Sequence, residues 1–265
     1  MLHSVILGIV QGLTEFLPVS SSGHLALFQM VMGWSGSPLL FDVVLHFATM
    51  LATIIYFRRD ICELFMGWFS GLFGRGTKTG NEWVYGWAIL SGTFVTMIVA
   101  LLLKPLMDKW LTSGILVGLS LLFTALVLWY ASKLSPGEER VTVKKGTLIG
   151  LAQGVAVIPG ISRSGVTIVS GLKTGFPPAE AFRFSFLLSL PAILGANLLE
   201  FLDVWKSGGS LSASMPAGWG AGVLAAFVSG FFALALLRKI VTLGRWKVFS
   251  VYCAVIGMIS ILTGL

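Results

Sequence analysis

The chain has 265 residues, 56% of them hydrophobic and only 11% charged, with a mean hydropathy of +0.92. A soluble domain carries about 25% charged residues, so this composition belongs in lipid. Lys and Arg outnumber Asp and Glu by 18 to 11, but the excess falls in short loops between apolar runs, which argues against a nucleic-acid partner. Cys62 and Cys253 lie far apart, beside or within apolar stretches, and read as packing residues, with neither a disulfide framework nor a metal site implied.

In chain order, the first element is the apolar region 1–33, broken in its middle by a Pro-Ser-Gly-rich piece from Pro18 to Gly23. It lacks a basic leader, Arg58 being the first Lys or Arg, and so reads as retained rather than cleaved. Apolar stretches of spanning length, roughly 20 residues each, follow at 38–57, 83–103 and 114–132. A second broken region, 146–172, is interrupted from Pro159 to Gly165, and three more spans follow at 180–202, 217–237 and 247–265. Backbone at membrane depth leaves the helix only where protein or a watery cavity satisfies its polar groups. Each broken region therefore reads as a re-entrant helix hairpin, with the broken piece as its tip.

Loop charge sets the orientation. Basic loops hold Arg58, Arg59, Arg75 and Lys78; then Lys133, Arg140, Lys144 and Lys145; then Arg238, Lys239, Arg245 and Lys247. Poorer loops hold Lys104 and Lys109, or Lys206 alone. With the rich loops and Lys173 inside, 146–172 enters from the cytoplasm and 1–33 from outside. The chain is then one all-α polytopic membrane domain of six transmembrane helices plus two re-entrant hairpins. Repeat 1 covers about 1–132 and repeat 2 about 146–265, in inverted topology. The residues support this duplication, because GIVQGLTEFLPVSSSG from Gly8 and GLAQGVAVIPGISRSG from Gly150 align without a gap. Gln11 meets Gln153, Gly12 meets Gly154, Ser20 meets Ser162, Ser22 meets Ser164 and Gly23 meets Gly165. Inverted repeats with broken helices place a site at their interface, so the two tips are expected to face each other.

Ionisable side chains inside membrane segments are costly and functional by default. The first tip offers Gln11 and Glu15, four apart on one helix face, then Ser20, Ser21, Ser22 and His24; the second offers Gln153, Ser162, Arg163 and Ser164. One guanidinium, several hydroxyls and helix starts after each tip suit a phosphate or diphosphate. Glu15 is the odd member: a carboxylate repels phosphate unless it holds a cation, accepts a proton or pairs with Arg163. Singly, the serines also read as caps, His24 as a satisfied core histidine, and Glu15 with Arg163 as a structural ion pair. Their convergence on two tips favours a site. Asp42 and His46 are weaker candidates for lining a cavity; Glu180, Arg183 and Glu200 read as snorkelling residues at span ends, and Gly171 and Gly175 as close-packing positions.

The stretches QGLTEFLPVSSSGH, from Gln11 to His24, and PGISRSG, from Pro159 to Gly165, resemble the two signatures of the undecaprenyl-diphosphate phosphatase family, also called bacitracin resistance protein. FDVVLH, from Phe41 to His46, fits as well, and the similarity covers essentially the whole chain. The resemblance implies hydrolysis of undecaprenyl diphosphate to the monophosphate carrier and inorganic phosphate, regenerating the lipid carrier for envelope polymers and conferring bacitracin resistance. It also implies a divalent metal, Mg²⁺ or Ca²⁺, a bacterial cytoplasmic membrane location, and an outward-facing pocket on the periplasmic or extracellular side. A homodimer is compatible with it. Carried onto this chain, the catalytic set is Glu15, Ser21, Ser22, His24 and Arg163. The diphosphate-binding set is Ser20, Ser162, Ser164, Gly165 and Gln11, with the metal on Glu15 and with Gln11 available to it. Gln11 stands where some members carry Glu, Gln being an accepted alternative in the family's pattern, which leaves Glu15 more of the metal-binding role.

On this reading Arg163, with Ser162 and Ser164, holds the terminal phosphate, while Glu15 binds the metal or orients the attacking group. Attack comes from Ser21 or Ser22 through a phosphoserine, with His24 relaying the proton, or from water directly; Ser21 is the expected nucleophile if the route is covalent. The competing class is a polyprenyl-phosphate transporter using the same headgroup site. A lipid kinase ranks last, because no GxxxxGK[ST] loop is present.

Overall fold

The computed structural model describes residues 1–31, 39–74, 80–206 and 215–264. The expectations for residues 32–33, 38 and 265, and for Arg75 and Lys78, lie outside the described residues, as do the side chains of Lys109, Glu200 and Lys206. The described residues form eleven helices and no strand. In chain order they are α1 (Leu2–Phe16), α2 (Ser21–Val31), α3 (Leu39–Tyr56), α4 (Arg58–Leu72), α5 (Asn81–Leu111), α6 (Gly114–Ala131), α7 (Val143–Val155), α8 (Arg163–Lys173), α9 (Pro178–Lys206), α10 (Trp219–Thr242) and α11 (Trp246–Thr263). Both regions read as broken in the sequence are helix pairs, α1 with α2 and α7 with α8.

Five helices, α5, α6, α9, α10 and α11, are long and apolar enough to cross a membrane. A sixth crossing is counted only if α3 and α4, bent by 74° at their junction, are taken as one broken span. Large apolar side chains such as Phe94, Leu102, Leu126, Phe232 and Val248 expose more than half of their surface. Together with these spans, such an apolar exterior marks a multi-pass membrane protein.

Residues 58–72 correct the loop reading. Arg58, Arg59, Asp60 and Glu63 break the hydropathy of this stretch, yet its apolar residues recur at helical spacing, and Ile61, Leu64, Phe65 and Trp68 line one cleft with α5 and α9. Arg183 is a second correction. It does not snorkel as an isolated span-end residue: its Nε donates to Asp60 Oδ1 at 2.6 Å, and the guanidinium lies 5.1 Å from the Tyr85 ring centroid. It ties α9 to the start of α4. Cys253 is buried as expected, whereas Cys62 is exposed on α4.

The closest helix contacts run through small residues, as membrane packing favours. A Cβ added to Gly8 of α1 would lie 2.0 Å from the Gly222 carbonyl oxygen of α10, and one added to Gly150 of α7 would lie 2.2 Å from that of Gly92 in α5. At these two places backbone meets backbone, and a side chain has no room. Thr96 Oγ1 donates to the Gly150 carbonyl at 2.8 Å, and Ser250 and Ser260 of α11 donate to the Ala125 and Gly114 carbonyls of α6 at 2.8 and 2.6 Å.

Candidate active site

Gln11 and Glu15 sit one turn apart on the inner face of α1, 0% and 8% exposed. The helix stops at Phe16, and Pro18, which has no amide hydrogen to continue the ladder, carries the chain into the first tip. Ser20 then adopts φ +71°, the only non-glycine residue at positive φ among those described. That turn lets its Oγ accept the Gly23 amide at 3.3 Å and its carbonyl accept the His24 amide at 3.2 Å, starting α2. The second tip is built alike: Ser162 caps α8, its Oγ accepting the Gly165 amide at 3.1 Å. Buried Thr124 of α6 holds this tip from behind, donating to the Gly160 carbonyl and accepting the Ser162 amide, both at 3.0 Å.

The tips touch. A Cβ on Gly23 would lie 2.9 Å from Gly160 Cα, and Ser164 Oγ donates to the Leu17 carbonyl at 3.4 Å. Across this contact Arg163 Nη2 donates to Glu15 Oε1 in a short ion pair. The other carboxylate oxygen, Oε2, receives the Ser21 hydroxyl at 2.6 Å and the Gln11 carboxamide nitrogen at 3.1 Å. Arg163 Nη1 and Gln11 Oε1 are buried with no hydrogen-bond partner among the described residues. A buried donor without an acceptor is costly, and here it marks where an anion fits.

Not every expected residue joins this cluster. The His24 ring nitrogens meet the Ser20 carbonyl and the Tyr252 hydroxyl, each at 2.8 Å, so its hydrogen bonds lead away from Ser21 and Ser22. Among the described residues Ser22 reaches only Ser20 Oγ, at 3.4 Å, and Ser162 Oγ lies 3.3 Å from Ser164 Oγ. Gly165's amide is already donated to Ser162. Gln153, the aligned partner of Gln11, is held by Thr96 at 3.2 Å instead.

Comparison with known proteins decides the lineage: residues 4–259 match the family described as bacitracin resistance protein BacA. The chain belongs to this family. Among curated BacA-type relatives, the undecaprenyl-diphosphatase of Desulfosudis oleivorans is 41% identical over 274 residues, which cover 100% of this chain and 98% of the relative. That of Alkaliphilus metalliredigens is 40% identical over 272 residues, at 99% and 98% coverage. That of Methanosphaera stadtmanae is 37% identical over 274 residues, at 99% and 97% coverage.

In this BacA member the residue that sequence reasoning ranked too low is His46. Its Nε2 lies 3.8 Å from Glu15 Oε2, and its Nδ1 is 2.8 Å from the Asp42 carbonyl. The available signal was a histidine on the one polar face of an otherwise apolar helix α3, with Asp42, Thr49 and Thr53; its distance in sequence from both tips hid the convergence. Asp42 itself is half-buried at the start of α3.

Proposed function

We propose that this chain hydrolyses undecaprenyl diphosphate to undecaprenyl phosphate and inorganic phosphate, returning the carrier lipid to envelope synthesis. The observation that carries the proposal is the meeting, between two broken helix pairs, of a serine hydroxyl, a carboxylate bonded to it, and a guanidinium with an unpaired buried donor. The curated relatives bear the name of a diphosphatase, which favours hydrolysis over carriage of the same lipid.

Roles follow from these contacts. Arg163 binds the terminal phosphate through Nη1 and stabilises the charge that develops on it. The Arg163 and Ser164 amides, which lack intrahelical acceptors at the start of α8, add the field of a helix N-terminus. Ser21 Oγ attacks the terminal phosphorus as Glu15 Oε2 takes its proton; the bond to the bridging oxygen breaks, and undecaprenyl phosphate leaves. Glu15 passes that proton to the departing phosphate, then takes one from the water that attacks the phosphoserine and returns it to Ser21 Oγ as the P–O bond breaks, which releases inorganic phosphate and restores Ser21. Ser20 and Ser162 act as caps that hold the two tips. His24, turned toward Tyr252, positions α2 and carries no proton between Ser21 and water.

A divalent cation, Mg²⁺ or Ca²⁺, fits the oxygen donors of this cluster, because Gln11 Oε1 is buried without a partner on the residue whose nitrogen already contacts Glu15 Oε2. Glu15 and Gln11 would hold it, and when bound it neutralises charge on the diphosphate.

We also place these helices in two inverted repeats, α1–α6 and α7–α11, with α1–α2 and α7–α8 as re-entrant hairpins. Support comes from matched packing: Gly8 and Gly12 of α1 meet Gly222 and Ala226, while Gly150 and Gly154 of α7 meet Gly92 and Thr96 at the same spacing. Gly118 and Gly257 meet reciprocally across α6 and α11, as residues beside a two-fold axis would. Since residues 1–57 carry neither Lys nor Arg, the serine tip opens toward the periplasmic or extracellular side.

The test is inorganic phosphate release from a C55 polyprenyl diphosphate by detergent-purified protein, alongside Arg163→Ala. Release that depends on Arg163 is the expected result; no release from folded protein with any divalent cation shifts the assignment to transport of the lipid.

A further inference from the structure

We infer that His46 is a direct nitrogen ligand of the divalent metal in this site, joining Glu15 and the neutral carboxamide of Gln11. The inference rests on the hydrolase reading for its setting and on four observations for its content. His46 Nε2 is 3.8 Å from Glu15 Oε2, a separation two ligands on one cation tolerate but a hydrogen bond does not reach. His46 Nδ1 is 2.8 Å from the Asp42 carbonyl, a contact that requires Nδ1 to carry the ring proton. In the neutral ring Nε2 is then the free nitrogen, 3.8 Å from the carboxylate. An imidazole whose second nitrogen donates to a backbone carbonyl is the usual support of a metal-bound histidine.

The third observation is that Gln11, 0% exposed, keeps Oε1 buried and unpartnered while its nitrogen donates to Glu15. The two ends of a carboxamide are interchangeable by a half-turn. Turned, Gln11 would set its oxygen 3.1 Å from Glu15 Oε2, close to the edge of an octahedral sphere with bonds of roughly 2.1 Å. The fourth is the division of labour on Glu15: Arg163 fixes Oε1, so Oε2 faces Gln11, Ser21 and His46 together. With Gln11 turned, Glu15 Oε2, Gln11 Oε1 and His46 Nε2 would form one face of a coordination sphere, leaving its remaining positions to phosphate oxygens and water. The described residues contain no cluster of three His, Cys, Asp or Glu, and this set needs none, because a carboxamide completes it. One imidazole among oxygen donors moves preference from Ca²⁺ toward first-row transition ions such as Mn²⁺.

Mn²⁺ is therefore the probe. Purified protein without substrate is titrated with Mn²⁺ and the bound ion is examined by pulsed electron paramagnetic resonance for hyperfine coupling to a directly bonded nitrogen. The expected spectrum shows one such nitrogen in the parent and in His24→Gln, and none in His46→Gln, whose Mn²⁺ affinity falls about tenfold or more. Bound Mn²⁺ without nitrogen coupling, coupling that survives His46→Gln, or failure of the parent to bind Mn²⁺ at all overturns the assignment. Phosphate release is read on the same samples. Release with no nitrogen on the metal removes the His46 ligand and leaves the hydrolase; a nitrogen-ligated metal without release does the reverse.

Discussion

The two hairpins share a scaffold and divide the chemistry. Positions that shape the tips are the same in both: Ser20 and Ser162 cap the second helix of each pair, and Gly8 and Gly150 let the first helix of each lie against a neighbouring backbone. Positions that could act on a phosphate differ. Glu15 aligns with Val157, Ser21 with Arg163 and His24 with Val166. The same tip geometry thus occurs twice, with the serine and carboxylate on one tip and the guanidinium on the other. Neither hairpin is an active site by itself.

The largest expected effect separates serines within the first tip. Ser21→Ala removes the hydroxyl 2.6 Å from Glu15 and lowers turnover by about 10⁴-fold or more, with loss of any trapped phosphoenzyme. Ser22→Ala, whose hydroxyl reaches only Ser20, stays within about tenfold of the parent. Equal losses from the two substitutions would point to water rather than serine as the nucleophile.

Next comes the division between tips. Arg163→Ala lowers phosphate release by about 10³-fold, and Arg163→Lys recovers little, because a point charge does not replace a guanidinium fork between Glu15 and a phosphate. Full activity in Arg163→Lys would mean that the second tip supplies charge without geometry.

A smaller effect tests whether the scaffold is truly shared. Gly8→Val and Gly150→Val each force side-chain atoms into a carbonyl, at 2.0 and 2.2 Å from the first added carbon, and each lowers stability by about 1–3 kcal/mol. Gly220→Ala, with open space around it, gains helix propensity and does not lose stability. Thermal unfolding in detergent measures all three; a loss confined to one hairpin would show that only that one depends on close backbone packing.

Much of this was legible in the sequence, and the exceptions share a cause. The two broken helix pairs, their tips and the meeting of Glu15 with Arg163 follow from the pattern, because Pro-Gly-Ser breaks and charges inside apolar segments are visible in one dimension. His46 was underrated because it belongs to neither tip and becomes relevant only when α3 packs beside α1. His24 was overrated for the converse reason. It sits in the motif, yet the first turn of α2 directs its ring to Tyr252, 228 residues away. Residues 58–72 were read as a loop because charge count outweighed helical spacing, and the missing information was the cleft that their apolar residues line with α5 and α9.

The smallest prediction compares the two caps directly. Replacing either serine with glycine loses a side-chain acceptor, worth a few tenths of a kcal/mol against glycine, and adds unfolded-state freedom of about 0.4–1 kcal/mol. Those terms are common to both tips. One is not: Ser20 stands at φ +71°, where a side chain costs about 1–2 kcal/mol that glycine avoids, whereas Ser162 stands at φ −75°, where nothing is relieved. Ser162→Gly therefore lowers stability by about 1 kcal/mol, while Ser20→Gly leaves it unchanged or slightly raised, with near-parental turnover if Ser20 only caps. Retained stability with lost turnover would instead place the Ser20 hydroxyl against the substrate, and would explain why a strained serine stands at a position where glycine fits better.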